Sequence, residues 1–141
     1  MPLDLDRIIE TALYVDDMER ADEFYGVILG LKPLRRSATL AAYDVNGNSV
    51  LLIFKRGGSA HTQEFTGSTH GSIPAHDGSG PLHICFAVAA DQLAAWDQRL
   101  IEGGIAIEAR MHWTRGGDSV YFRDPDNHLL ELMTPGNWES Y

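Results

Sequence analysis

The sequence predicts an α+β fold made of two β-α-β-β-β modules within 141 residues. Three observations predict it. An offset of 73 positions lays Glu10 on His83, Val15 on Val88 and Gly30 on Gly103, which marks an internal repeat. Each half opens with an apolar, strand-like run followed by a stretch of helical period. Each half also carries a turn signal between its last two strand-like runs: Asn46-Gly47 in the first, Asp124-Pro125-Asp126-Asn127 in the second.

The first module spans residues 7–56. Residues 8–15 read as a strand, and Asp17-Met18-Glu19-Arg20 as a helix start with acid in its first turn. Met18, Ala21, Phe24, Tyr25, Ile28 and Leu29 then form one apolar face, and Gly30 stands where a C-terminal cap is expected. Strands follow at 32–37, 39–45 and 49–55. Residues 57–80 form a Gly-, Ser- and Thr-rich connection holding His61, His70 and His76, three of the six histidines. A connection of that length is usually functional or mobile. The second module spans 81–136. It begins with a strand at 81–88, then a helix that Asp91 would cap and Gly103-Gly104 would end, with Leu93, Trp96, Leu100 and Ile101 on one face. Strands at 105–113, 118–123 and 128–134 complete it. One module alone would expose a sheet face, so 1–141 is expected to be a single domain whose halves need each other or a second subunit.

Composition narrows the function. A hydrophobic fraction of 44% with 22% charged residues is ordinary for a soluble globular chain. The net charge of −9 argues against a nucleic-acid partner and against an anionic membrane surface. No apolar run approaches the roughly 18 residues of a membrane span. Residues 1–7 hold aspartates and no apolar signal core. One cysteine, Cys85, permits no intrachain disulfide and fits a reducing, cytoplasmic setting. A small molecule is the expected partner.

Strand period then sorts the polar residues. In 8–15, Thr11, Leu13 and Val15 share one face, and Glu10, Ala12 and Tyr14 the other. In 81–88, His83, Cys85 and Ala87 share a face. In 128–134, Leu129, Glu131 and Met133 do. If the apolar faces lie under the helices, Glu10 and His83 occupy equivalent places on the opposite, concave face. Glu131 sits within Leu129-Leu130-Glu131-Leu132-Met133, and a buried carboxylate needs a cation, a hydrogen bond or a metal. Two carboxylates and one imidazole on such faces would suit a divalent cation.

Longer motifs carry a resemblance. Leu13-Tyr14-Val15-Asp16-Asp17-Met18, Phe24 through Leu31, Pro81 through Val88, and Val120-Tyr121-Phe122-Arg123-Asp124-Pro125-Asp126-Asn127-His128-Leu129-Leu130-Glu131-Leu132 resemble, in order, the vicinal oxygen chelate superfamily. That group includes glyoxalase I, bleomycin-resistance proteins, fosfomycin-modifying enzymes and extradiol dioxygenases. The resemblance implies two modules forming a half-open barrel around a metal, commonly in a homodimer that can build each cavity from modules of different chains. It matches His83 to the second-module ligand and Glu131 to the final one. Glu10 falls where many members have histidine or glutamine. Leu52 falls where glyoxalase I has its first-module glutamate, so three ligands remain. The implied cofactor is a divalent ion, Zn, Mn, Fe, Ni or Mg.

The resulting expectation is a metal-dependent enzyme, of lyase, isomerase or dioxygenase type, acting on a small molecule with adjacent oxygens. Glu10 and Glu131 are its catalytic candidates. The alternative is a non-catalytic binding protein of the bleomycin-sequestering kind. Four further residues are candidates for substrate contact. His76 would lean over the cavity mouth as an acid–base group, and Trp113, Arg115 and Tyr121 would rim it, Arg115 suiting an anionic group. His112 and His128 read as exposed strand-end residues, Cys85 as an inert buried thiol, and Phe24, Tyr25 and Trp96 as core.

Overall fold

The computed structural model describes all 141 residues. The chain divides into two compact units, Met1–Ser79 and Gly80–Tyr141.

In the first unit, β1 (Glu10–Val15) leads into α1 (Met18–Asp22), which continues as a π-helical stretch, Glu23–Ile28. Then come β2 (Lys32–Arg36), β3 (Leu40–Val45) and β4 (Ser49–Lys55). The sheet order is β1-β4-β3-β2, with β1 parallel to β4 and the others antiparallel. Asp17 caps α1, its carboxylate accepting from the Glu19 and Arg20 amides at 3.0 and 3.1 Å. Asn46 and Gly47 both take positive φ, 52° and 69°, the geometry of the tight hairpin between β3 and β4. Leu13, Val15, Tyr43, Leu51 and Ile53 are buried with Ala21, Phe24, Tyr25 and Leu29. One sheet face therefore packs under the helix, leaving Glu10, Ala12, Leu52 and Phe54 on the other.

The connection is more ordered than its composition suggests. Gln63–Phe65 (β5) and Gly71–Ile73 (β6) pair as a short antiparallel hairpin within the first unit.

The second unit repeats the plan. β7 (His83–Ala87) is followed by a 3₁₀ turn, Ala90–Gln92, then α2 (Leu93–Glu102), β8 (Ala109–His112), β9 (Asp118–Arg123) and β10 (Leu129–Met133). Its order, β7-β10-β9-β8, has the same connectivity as the first sheet, and β7 is parallel to β10. The expected Asp91 cap is replaced: Asp91 lies inside the 3₁₀ turn, and Gln92 at the α2 N-terminus makes no side-chain cap. Trp96 is half-buried under the Arg99 guanidinium, 5.5 Å from its ring centre, rather than in the core. The core of this unit is Leu100, Val120, Phe122, Leu130 and Leu132.

His128 overturns its expected exposure. It is fully buried, and its Nδ1 accepts the Leu82 amide at 2.9 Å. The cause is the preceding turn. Asp124 is itself buried and accepts from the Asp126 and His128 amides, folding the chain back so that the imidazole points inward. His112 is exposed as expected and pairs with Asp118 at 2.8 Å.

Candidate functional site

The two units each present a polar constellation on the sheet face away from their helix. In the second unit β7 is an outer strand and β10 an inner one, so His83 stands half-exposed beside a buried Glu131. His83 Nδ1 lies 2.9 Å from the Leu129 carbonyl oxygen. A carbonyl only accepts, so Nδ1 carries the proton and donates. In the neutral tautomer that this bond selects, the Nε2 lone pair points toward Glu131, with Nε2 and Oε1 3.3 Å apart. Glu131 is 4% exposed, and its Oε2 is buried without a well-formed hydrogen bond.

A lone pair against a carboxylate is two acceptors in contact, so either a proton or a metal ion lies between them. A proton there would satisfy that pair, with the Tyr121 hydroxyl and the Cys85 thiol as the other donors beside the Glu131 carboxylate. A divalent cation also fits this donor set. Two donors each about 2.1 Å from one ion stand roughly 3.2 Å apart at angles near 100°. The Nδ1–H bond to a backbone carbonyl is also the usual way a metal-binding imidazole is oriented.

Tyr121 and Cys85 both lie opposite Glu131 in register, on β9 and β7. The Tyr121 ring stacks on His83 at 6.4 Å and 27°. Burial, then the Glu131 charge, raises the Tyr121 phenol above its ordinary value. Cys85 is exposed rather than buried, yet crowding around its sulfur, followed by the Glu131 charge, pushes its thiol up to about 12. The inert thiol expected from the sequence is thus retained for an electrostatic reason. Trp113 donates its indole N–H to Ser119 at 2.8 Å. Arg115 is exposed in the β8–β9 turn.

In the first unit Glu10, the exposed first residue of β1, borders a cavity of about 820 Å³. Ala12, Leu52 and Phe54 also line it, with Arg35 and Thr39 on the β2–β3 side and Ser59 and His76 from the connection. Leu52 therefore occupies this wall as a half-buried apolar residue. His76 is held rather than free: Tyr14 Oη lies 2.8 Å from its Nδ1, and its ring meets Phe54 edge-on at 4.6 Å. Ser59 donates to the His76 carbonyl at 2.7 Å.

Of the three expected ligands, His83 and Glu131 are thus brought together on one unit, and Glu10 lies on the other. No cluster of three or more His, Cys, Asp or Glu side chains gathers at ligand spacing. Sequence reasoning missed Ser59 and Arg35 as cavity residues and Tyr14 as the partner of His76. Tyr14 shares the Glu10 face by alternation, a signal that was present. For Arg35 no signal was available, because a bulge sets its direction.

With this geometry described, likeness to known proteins can be placed. The family model described as Glyoxalase/Bleomycin resistance protein/Dioxygenase superfamily matches residues 7–132. The chain is 29% identical over 121 residues to the metallothiol transferase FosB of Bacillus licheniformis, covering 85% of this chain and 70% of that protein. It is 27% identical over 121 residues to the catechol-2,3-dioxygenase of Bacillus subtilis, covering 85% of this chain and 38% of that one. The crystal structure of lactoylglutathione lyase from Agrobacterium tumefaciens matches with a TM-score of 0.83 at 29% identity, over 96% of this chain and 98% of that one. The motifs, the repeated module and this match across nearly the whole chain agree: the protein belongs to the glyoxalase/bleomycin resistance protein/dioxygenase superfamily.

Proposed function

We propose that the chain is a divalent-metal-dependent enzyme acting on a small molecule with adjacent oxygens. Glu10, His83 and Glu131 would hold the ion, Glu10 coming from the first module of the same chain or of a second copy in a homodimer. The observation that carries this reading is His83 Nε2 standing 3.3 Å from the buried Glu131 carboxylate while its Nδ1 is held by the Leu129 carbonyl. The donor set is hard and anionic, which suits Mn²⁺, Mg²⁺, Zn²⁺, Fe²⁺ or Ni²⁺. Such an ion supplies polarisation of a substrate carbonyl or hydroxyl and stabilisation of the oxyanion or enolate that develops there. The Leu129 carbonyl fixes the imidazole, and Tyr121 covers its face. Names such as metallothiol transferase, catechol dioxygenase and lactoylglutathione lyase among the relatives support a metal-centred reaction of transferase, dioxygenase or lyase type. A purely sequestering protein is the second reading. It would give no role to a His83 Nε2 held 3.3 Å from a buried carboxylate. The single free cysteine fits the cytoplasmic setting proposed here.

The test is elemental analysis of protein purified without chelator or a His-tag. About one ion per chain is expected, with thermal stabilisation of about 2.7 kcal/mol at a hundredfold excess of metal over Kd. Both should collapse in His83→Ala and Glu131→Gln. Unchanged occupancy in His83→Ala overturns the ligand assignment.

A further inference from the structure

The cavity of the first unit holds a cation that the fold leaves without a counter-charge. Arg36, Arg56, Arg110 and Arg123 are spent on Asp22, Asp16, Asp97 and Glu108. Arg35, adjacent to Arg36, meets no carboxylate and lines the cavity. In a chain of net charge −9, an arginine kept clear of acids at a cavity wall is conspicuous.

A backbone irregularity places it there. β2 pairs Pro33 with Tyr43, then Arg35 with Ala42 and Arg36 with Ala41, so Leu34 is an extra residue in the ladder. Without that bulge Leu34 would oppose Ala42 on the cavity face, and Arg35 would oppose Ala41 on the helix face. The bulge reverses this assignment. Arg36 turns to Asp22 beside the helix, Arg35 turns to the cavity, and Leu34 is left 52% exposed. Exposing a leucine in order to aim an arginine makes sense if the arginine has something to bind.

The same register gives the dimensions. Arg35, Ala42, Leu52 and Ala12 form one row across β2, β3, β4 and β1. Two alanines and a leucine make a shallow apolar floor between Arg35 on one outer strand and Glu10 on the other. Three strand spacings separate those strands, about 14 Å. Thr39, Ser59 and His76 line the same cavity.

We propose that Arg35 selects the substrate: the cavity takes a small molecule with an apolar body and a carboxylate, which the Arg35 guanidinium binds bidentately. A single arginine matches a monoanion. The rest of the molecule lies over Ala12 and Leu52, with its far end directed toward Glu10. This deepens the enzyme reading above, and it assigns the substrate class independently of the ion.

The experiment uses the full-length chain after dialysis against EDTA, titrated in NMR with benzoate and with its neutral isostere benzamide. Benzoate should bind at least about tenfold tighter than benzamide, the worth of a hydrogen-bonded charge. It should shift the Arg35 Nε–H and the Leu52 and Thr39 amides. Arg35→Met should erase the preference, and Arg7→Met, which removes an exposed arginine outside the cavity, should keep it. Arg35 has no structural partner, so its loss leaves the fold intact. Equal binding of the two probes, no binding of either, or shifts elsewhere overturns the proposal. Tighter binding of dianionic phenylphosphonate than of benzoate overturns the carboxylate assignment. Because the protein is metal-free, the outcome is separable from the ligand assignment. Benzoate bound through Arg35 with no metal uptake at His83 sinks only the latter, and the reverse sinks only this proposal.

Discussion

Replacing His128 by alanine should cost the protein several kcal/mol, although the sequence gives this histidine no more weight than His112. The imidazole is fully buried, and its Nδ1 is the acceptor for the Leu82 amide at 2.9 Å. Removing it strands that N–H, which costs about 1–3 kcal/mol. It also leaves a ring-sized cavity, which adds a cost of the order seen for aromatic truncations less the difference in ring size. The total is about 3–5 kcal/mol. His128→Phe fills the volume but still strands the amide, so at least about 1–3 kcal/mol is expected. His112→Ala removes an exposed ion pair with Asp118 and should fall within about 0.5 kcal/mol of the parent. Urea unfolding ranks the three. Hydrogen exchange at Leu82 locates the effect, with faster exchange expected in both His128 variants. Leu82 precedes His83 and accepts the Leu129 amide at 2.8 Å, so the same bond pins the edge strand that carries the imidazole ligand. If His128→Ala unfolds with His112→Ala, or if Leu82 exchange is unchanged, the reasoning fails.

Three further expectations follow from the first unit. Burial, then the hydrogen bond to Asp22, raises the Tyr43 phenol above its ordinary pKa of 10.0. The folded state thus keeps this proton to higher pH than the unfolded state, so stability is intact below pH 10 and drains as pH rises past it. Tyr43→Phe should lose about 0.5–1.5 kcal/mol at neutral pH and decline less steeply in alkali than the parent. Parallel decline of the two proteins contradicts this. A methyl group at Gly78 would overlap the Tyr14 ring. Gly78→Ala should therefore separate His76 from Tyr14, read as loss of their ring-to-ring NOEs; intact NOEs would mean the contact is looser than described. The resemblance puts Leu52 where glyoxalase I has its first-module glutamate, so the hemithioacetal of methylglyoxal and glutathione should not turn over. Robust turnover would place the shuttle elsewhere.

The features legible in the sequence were those set by local rules. The repeat, the Asn46-Gly47 hairpin, the helix start at Asp17–Arg20 and the Gly30 turn each depend on a few neighbouring residues, and all are found. Strict alternation placed His83, Cys85 and Glu131 on one face, because period-2 geometry leaves no other choice. What was not legible depends on longer-range or irregular structure. The inward turn of His128 comes from the Asp124 carboxylate gathering two amides, and composition reads that turn as solvated. The exchange of Arg35 and Arg36 between faces comes from one extra residue in β2, and two adjacent arginines carry no mark of which faces where. Strand ends ran short wherever pairing partners stopped. Residues 105–108 read as strand, yet pairing with β9 starts only at Ala109. The β5–β6 hairpin in the connection arose from three-residue strands too brief for any periodicity to register.

The central claim is that His83 and Glu131 are two ligands of one divalent ion. Anomalous diffraction at the manganese edge, from crystals grown with Mn²⁺, tests it most directly. The account predicts one strong peak per chain, bonded to His83 Nε2 and a Glu131 carboxylate oxygen, with Glu10 completing the protein ligands. A crystal with its strongest peak elsewhere, at His61 or His70 for instance, and none between His83 and Glu131 would contradict it.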